Sequence, residues 1–300
     1  MKKFTFLFVL FFCAKIAFGQ WQSIDMINSS KARIIFNTDQ SLLLLCERGR
    51  ALYKSTDNGL TWEKKLIFPT VNNIYDGTGF RNIITKGDTI LMCSFNTIYR
   101  SFDDGNSWSQ TPTPSMSTDC FFINNTMYSY NNFNWGCVFK STNFGQTWVQ
   151  DCSSAISNLR ITSLINTDSL IYGITLMDTA VKLVRIRNEN SYDIIADIHH
   201  HFLGLDVSDQ KIAYINYSYT DSIAFINISN NQGLTWNSLS LPYCPYSVTT
   251  KGDTIYIALN DSVAYTINDG LSWTKVSGLS QYKYIEKYDY INGIEYIYSS

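Results

Sequence analysis

The chain has 300 residues, 45% of them hydrophobic and only 16% charged, with 23 basic and 25 acidic side chains and a formal charge of −2. So faintly acidic a balance lacks the basic footprint that nucleic acid or an anionic membrane surface demands. Twenty tyrosines and 18 phenylalanines amid many Asn, Ser and Thr suit short strands joined by polar turns.

The N-terminus reads as a leader. Lys2 and Lys3 precede an apolar run from Phe4 to Ala14, and Ala17-Phe18-Gly19 places small residues at −3 and −1 of a cleavage site before Gln20. The run is too short to span a bilayer, and no later apolar stretch reaches about 18 residues. Residues 1–19 are therefore expected to be a secretory signal peptide and 20–300 a single secreted, extracellular or periplasmic domain. With Lys2, Lys3 and Lys15 in the leader, 20 basic and all 25 acidic residues remain, a formal −5. Six cysteines remain after Cys13: Cys46, Cys93, Cys120, Cys137, Cys152 and Cys244. An exported chain permits disulfides, with about 15 connectivities open to six cysteines. Cys46 and Cys93 each end an apolar run and equally suit buried thiols. No zinc-type CxxC spacing occurs.

Downstream, one pattern recurs five times without gaps. Ser55-Thr-Asp57-Asn-Gly59-Leu-Thr61-Trp62 is followed by Ser101-Phe-Asp103-Asp-Gly105-Asn-Ser107-Trp108 and Ser141-Thr-Asn143-Phe-Gly145-Gln-Thr147-Trp148. Ser229-Asn-Asn231-Gln-Gly233-Leu-Thr235-Trp236 and Thr266-Ile-Asn268-Asp-Gly270-Leu-Ser272-Trp273 complete the set. The physics is that of a hairpin turn. Asp or Asn accepts from the turn's own N–H groups, Gly takes a positive φ, and hydroxyls tie the flanks. Each Trp opens the next strand and is placed to pack between sheets.

The tryptophans of the boxes set a unit of about 40 residues, the length of a four-stranded propeller blade. Between Trp148 and Trp236 lie two units, with Arg187-Asn-Glu-Asn-Ser191-Tyr192 as a degenerate copy near the midpoint. Thr85-Lys-Gly-Asp88-Thr-Ile90 recurs as Thr250-Lys-Gly-Asp253-Thr-Ile255 and marks the turn between the first two strands of a blade. Each blade thus runs strand A, turn, strand B, loop, strand C, box, strand D. Trp21 looks like a D strand without its A, B and C, while 284–298 read as a final A–B hairpin across Asn292-Gly293. The expected fold is an all-β propeller, seven blades or alternatively six, its ring closed by pairing of the N- and C-terminal strands, which removes exposed edges.

The boxes resemble the Asp-box (BNR) repeats of the sialidase superfamily, Vps10/sortilin-type receptors, xyloglucan-degrading glycoside hydrolases and photosystem II assembly factor-like propellers. The resemblance covers essentially the whole mature chain, and it implies a structural box lying away from the working face. A sialidase would add three arginines around a carboxylate, an acidic acid/base and a Tyr–Glu pair. Its F/Y-R-I-P motif meets Lys31-Ala32-Arg33-Ile34-Ile35 here, without the aromatic and Pro, and Phe80-Arg81-Asn82-Ile83 is a second imperfect echo.

Alternating strand direction puts A–B turns and boxes on one face and the B–C and D–A loops on the other. Long D–A segments at 66–80, 110–120 and 151–159 make the latter the expected binding face. Arg33, Arg81, Arg160 and Trp135 are its candidate binding residues. Asp76, Asp119, Asp151, Asp178 and Asp221 are the carboxylates available to a glycosidase, whose pair would stand about 5–10 Å apart. His199-His200-His201 holds every histidine, as a polar loop end or with 199 and 201 facing one metal. Tyr219 and Tyr243 are among the aromatics able to stack on a sugar or peptide. With no catalytic motif, the expected function is a binding scaffold for a glycan or protein ligand, the alternative being a sialidase-like or xyloglucanase-like hydrolase. No catalytic residue, metal or cofactor is assigned, and a monomer is expected.

Overall fold

The computed structural model describes residues 32–299, apart from 39, 47–50, 68–81, 94–96, 115–116, 132–135, 167–169, 178–179, 209, 280–284 and 292–293. The leader, Trp21, Arg81, Asp76, Asp178 and Trp135 lie outside the described residues. The rest is an all-β propeller of four-stranded antiparallel blades.

Blade 1 comprises β1 (Ala32–Asn37), β2 (Leu42–Cys46), β3 (Ala51–Ser55) and β4 (Glu63–Ile67). Blade 2 comprises β5 (Asn82–Lys86), β6 (Thr89–Cys93), β7 (Thr97–Ser101) and β8 (Ser109–Pro112). Blade 3 has β9 (Ser117–Ile123), β10 (Thr126–Asn131), β11 (Val138–Ser141) and β12 (Val149–Asp151). Blade 4 has β13 (Ile161–Asn166), β14 (Ile171–Met177), β15 (Ala180–Asn188) and β16 (Ser191–Ile198). Blade 5 is β17 (His201–Ser208), β18 (Lys211–Ser218), β19 (Ile223–Ser229) and β20 (Asn237–Leu241). Blade 6 is β21 (Ser247–Lys251), β22 (Thr254–Ala258), β23 (Val263–Thr266) and β24 (Thr274–Lys275), and β25 (Ile285–Ile291) pairs only with β26 (Ile294–Ser299).

Among the described residues the four-stranded blades number six, the alternative count and not the seven expected first; the seventh unit is a two-stranded hairpin. That hairpin meets blade 6 through Tyr288, stacked 4.3 Å from Tyr256, and meets blade 1 where the Tyr296 hydroxyl donates to the Asn58 carbonyl at 3.5 Å. The pairing expected of Trp21 falls outside the described residues.

Burial follows strand order within a blade. The B strands read as continuous apolar runs because neighbouring blades cover both sheet faces: Leu42 to Leu45 and Ile90 to Cys93 are all buried. The D strands β8 and β24 are largely exposed and correspondingly polar. Cys93 on β6 and Cys120 on β9 pair across blades 2 and 3 with Cα atoms 6.4 Å apart, so Cys93 is buried but not a free thiol. Cys137 and Cys152 pair within blade 3, spanning its box, and Cys244 is free and exposed.

All five boxes share one geometry. The leading hydroxyl donates to the Asp or Asn Oδ1 at 2.7–2.9 Å and accepts the Gly N–H at 2.7–3.0 Å. The same Oδ1 accepts the seventh residue's N–H at 2.8–3.0 Å. Where the third residue is Asp, the seventh hydroxyl donates to its Oδ2; where it is Asn, the amide donates to that hydroxyl at 2.9 Å. One hydrogen bond is kept and its polarity reversed, which is why both residues serve. Two successive residues take positive φ, not the glycine alone: Asn58, Asp104, Phe144, Gln232 and Asp269 lie at 53–57°. The glycine also leans on the preceding blade, for a Cβ on Gly270 would stand 2.8 Å from Leu239 Cδ1 of blade 5. The tryptophans are half-buried, and Trp62, Trp108 and Trp148 donate Nε1–H to the box glycine carbonyl at 2.9–3.1 Å.

The midpoint copy is not a box. β15 and β16 join through the short turn Glu189-Asn190, with Asn188 paired to Ser191. Ile186 occupies the register position that Ser55 and Ser101 hold elsewhere, since it pairs with Ile171 as they pair with Leu42 and Ile90. Without that hydroxyl the box lacks its anchor, and β15 instead runs on to Asn188 before a two-residue turn.

Hydrogen bonds from Thr61 hold the Asp57 carboxyl down at about 2, and those from Ser107 do the same for Asp103. A carboxyl depressed in the folded state contributes stability above its ordinary value, lost as pH falls from about 4 to about 2. Asp103→Asn is expected to leave the pH 7 melting temperature nearly unchanged while reducing the acid dependence in that window. Trp108→Ala should cost about 2–3 kcal/mol, below the roughly 3–5 of a fully buried aromatic. Thermal melts between pH 2 and 7 check both.

Candidate functional site

The two faces of the propeller differ in how much of their described surface is already engaged. On one, every box locks its own side chains, leaving the tips Leu60, Leu234 and Leu271 standing singly in solvent. On the other, the B–C and D–A connections vary in length and present aromatics.

The expected long loops resolve unevenly. Strands β8 and β9 absorb most of 110–120, leaving a short connection. Residues 152–160 form a plug: a 3-10 turn at Ala155–Asn158 buries Ile156 and Leu159 against blades 3 and 4, and Tyr130 donates to the Ile156 carbonyl at 3.1 Å. That loop is packed, not free to bind. Of the four predicted binding residues, only Arg160 has a described side chain. It is exposed at the start of β13, where its carbonyl accepts Leu176 N–H at 3.1 Å. Arg33 lies on β1 by its backbone, so convergence of the arginines lies outside what is described.

The same face carries a built aromatic surface over blade 5. Ser218 donates to Asp221 Oδ2 at 2.7 Å and accepts the Asp221 N–H at 3.3 Å, and Ser222 turns the chain at φ 56°. This bonded turn holds Tyr219 outward, 71% exposed. Its ring meets Tyr217 edge-on at 5.1 Å and His201 at 5.5 Å, and His201 faces Tyr217 across the β17–β18 ladder. Tyr243 and Tyr246, in the connection from β20 to β21, add further exposed rings. Tyr219 and Tyr243 were legible as aromatics of this face; the supporting contacts were not.

The histidines do not share one point. His200 stacks on Phe225 at 6.2 Å while His201 turns to Tyr219, and no group of three or more His, Cys, Asp or Glu is placed to hold a metal among the described residues. Of the candidate carboxylates, the two with described side chains, Asp151 and Asp221, read as structural. Asp221 serves its turn. Asp151 is held at about 2 although burial opposes ionisation, because Ser153 and Lys140 bond to it, the reverse of a general acid.

One carboxyl departs upward. Asp206 on β17 accepts Thr250 N–H at 2.6 Å and its hydroxyl at 3.1 Å across the blade 5–blade 6 junction, with Lys287 the neighbouring cation. Burial pushes it up to about 6 against these bonds.

No family model matches the chain, and no curated protein matches it. Solved structures do. YCF48 from Cyanidioschyzon merolae superposes with a TM-score of 0.63 at 14% identity, over 90% of this chain and 93% of that one. The extracellular domain of BT4673 from B. thetaiotaomicron gives 0.63 at 12%, over 90% of this chain and 37% of that one. The GH74 xyloglucanase from Xanthomonas campestris gives 0.56 at 14%, over 77% and 44%. The likeness is one of fold: the β-propeller. No helix among the described residues is long and apolar enough to cross a membrane.

A carboxyl raised in the folded state keeps a proton that the unfolded chain has released, so stability falls as pH rises from about 4 through about 6. Asp206→Asn keeps an acceptor for Thr250 and removes the buried charge. It is expected to raise the melting temperature at pH 7.5 and flatten its slope between pH 4 and 6; calorimetry across that range checks it.

Proposed function

We propose that this chain is a secreted Asp-box propeller that binds a glycan or protein ligand on its loop face, without catalysing a reaction. The observation that carries this reading is the Tyr217–Tyr219–His201 cluster, held out on a hydrogen-bonded turn with Tyr219 exposed. Rigid aromatic rings offer large contact area at little conformational cost, and they stack on sugar faces as readily as on peptide side chains. The box geometry and its recurrence support the Asp-box assignment. Arg160, together with Arg33, Arg81 and Trp135 if their places in the blade order put them on the same face, would supply polar and aromatic contacts around the cluster. The ring is closed, in this reading, by residue 21 and its neighbours pairing beside the C-terminal hairpin, after removal of a leader at residues 1–19. That one likeness is to an extracellular domain agrees with export.

Glycoside hydrolysis is the second reading, favoured by the likeness to a GH74 xyloglucanase. It is the weaker because the described carboxylates of the loop face are occupied in turns. A glycan and protein array probed with the mature chain tests the first. Tyr219→Ala with Tyr243→Ala should abolish the signal and leave the melting temperature within about 1 °C, since both side chains are exposed. Retained binding in that variant, or release of reducing sugar by the wild type from an arrayed glycan, contradicts the reading.

A further inference from the structure

The blade 1–blade 2 and blade 5–blade 6 junctions on the box face correspond residue by residue. Thr38-Asp39-Gln40-Ser41 matches Ser208-Asp209-Gln210-Lys211, because Leu42 pairs with Ser55 as Ile212 pairs with Ser229. Asp88 and Asp104 of the following blade match Asp253 and Asp269.

The first junction is closed. Thr38 and Ser41 both donate to Asp104 Oδ1, Lys54 Nζ meets Asp104 Oδ2 at 2.7 Å, and Gln40 Nε2 donates to Asp88 Oδ1 at 3.0 Å. The Asp104 side chain is left 7% exposed.

The second junction is open. Ile228 stands where Lys54 does, and the cation comes instead from Lys211, in the place of Ser41, to Asp269 Oδ1 at 2.6 Å. Asn230 Nδ2 takes Asp269 Oδ2 at 2.8 Å, and the Asp269 side chain stays 36% exposed. The bonds made by Thr38 and Gln40 have no counterparts among the described residues, and the enclosed Ser208 hydroxyl has no partner. A cavity of about 340 Å³ opens there, lined by Ser208, Gln210, Lys211, Asn230, Asp253 and Asp269 together with Gly252 and Ile267. That volume is within the range of small-molecule sites, about 300–1,000 Å³.

We infer that this junction is a second binding site, for a neutral polyhydroxylated ligand of monosaccharide size. Lys211 and Asp269 neutralise each other, which leaves the Asp253 carboxylate to disfavour an anion. The Gln210 amide donates and the Asp253 carboxylate accepts, the complementary pair that adjacent hydroxyls satisfy. Exposed Ile267 offers an apolar wall to a sugar ring. The site lies on the face opposite the aromatic cluster and stands independently of it.

Saturation-transfer NMR with methyl hexopyranosides, and with trisaccharides ending in the same units, tests this on the mature chain. Transfer to one or more of these probes is expected; binding of the monosaccharides marks a free sugar, and binding of the trisaccharides alone marks a glycan end. Asp253→Ala and Gln210→Ala, both at exposed positions, should each weaken binding at least about tenfold, as loss of a directed hydrogen bond to a ligand does. Lys211→Ser with Ile228→Lys, which rebuilds the closed junction, should abolish it, while Tyr219→Ala should not alter it. No transfer from any probe, or binding unmoved by Asp253→Ala and Gln210→Ala, overturns the inference. So does binding lost equally in Tyr219→Ala.

Discussion

Neighbouring blades are held together by a turn that reaches backward. Each box brings two consecutive residues to positive φ, and this lifts the fourth residue's carbonyl toward the preceding blade. At three of the five boxes a cation on that blade's C strand meets it: Lys54 reaches the Asp104 carbonyl at 2.6 Å, Arg100 the Phe144 carbonyl at 3.3 Å, and Arg185 the Gln232 carbonyl at 3.3 Å. The box glycine then fits against the same blade because it lacks a Cβ: one added to Gly233 would stand 3.0 Å from Ile195. Backbone conformation, a charge-assisted bond and close packing thus act at one point on the ring, and each depends on the other two. Blade 4 tests the rule from within. It lacks a box, and the Lys140 that would have gripped one turns to Asp151 of its own blade.

Much of this was written plainly in the chain. The five boxes, the repeat near 40 residues and the Thr-Lys-Gly-Asp turns were enough to read a four-stranded blade, because each records a local hydrogen-bonding need. What escaped depends on contacts between blades. Lys54, Arg100 and Arg185 are scattered basic residues in strands, and only the register shows that they share a position. Arg187–Tyr192 looked like a worn box, yet Ile186 at the hydroxyl position had already removed the turn's anchor. The 151–159 segment looked like a free loop because Ile156 and Leu159 are too few to reveal that it plugs the core. The count of seven rested on a D strand at Trp21 completing the terminal hairpin, and Trp21 lies outside the described residues.

Function was less legible because it rests on surfaces that no repeat constrains. The box face is engaged by its own hydrogen bonds except where Lys211 replaces a small hydroxyl residue and opens a cavity. The opposite face carries Tyr219 on a bonded turn, and the tyrosine alone gave no sign of the Ser218–Asp221 bonds that hold it. The cavity arises from a departure at an equivalent position, so differences between blades say more about binding there than the motif they share.

Coupling of the blades by a backward-reaching turn is tested most directly at Lys54 and Asp104, both buried. A double-mutant cycle with Lys54→Met and Asp104→Asn, followed by chemical denaturation, isolates their interaction. Each single change is expected to cost about 3–5 kcal/mol, because it strands one buried charge. The double variant should lose at least about 2 kcal/mol less than the two losses added together, the coupling of a buried pair. Strict additivity would show that the contact is incidental and that the blades cohere without the turn's grip on its neighbour.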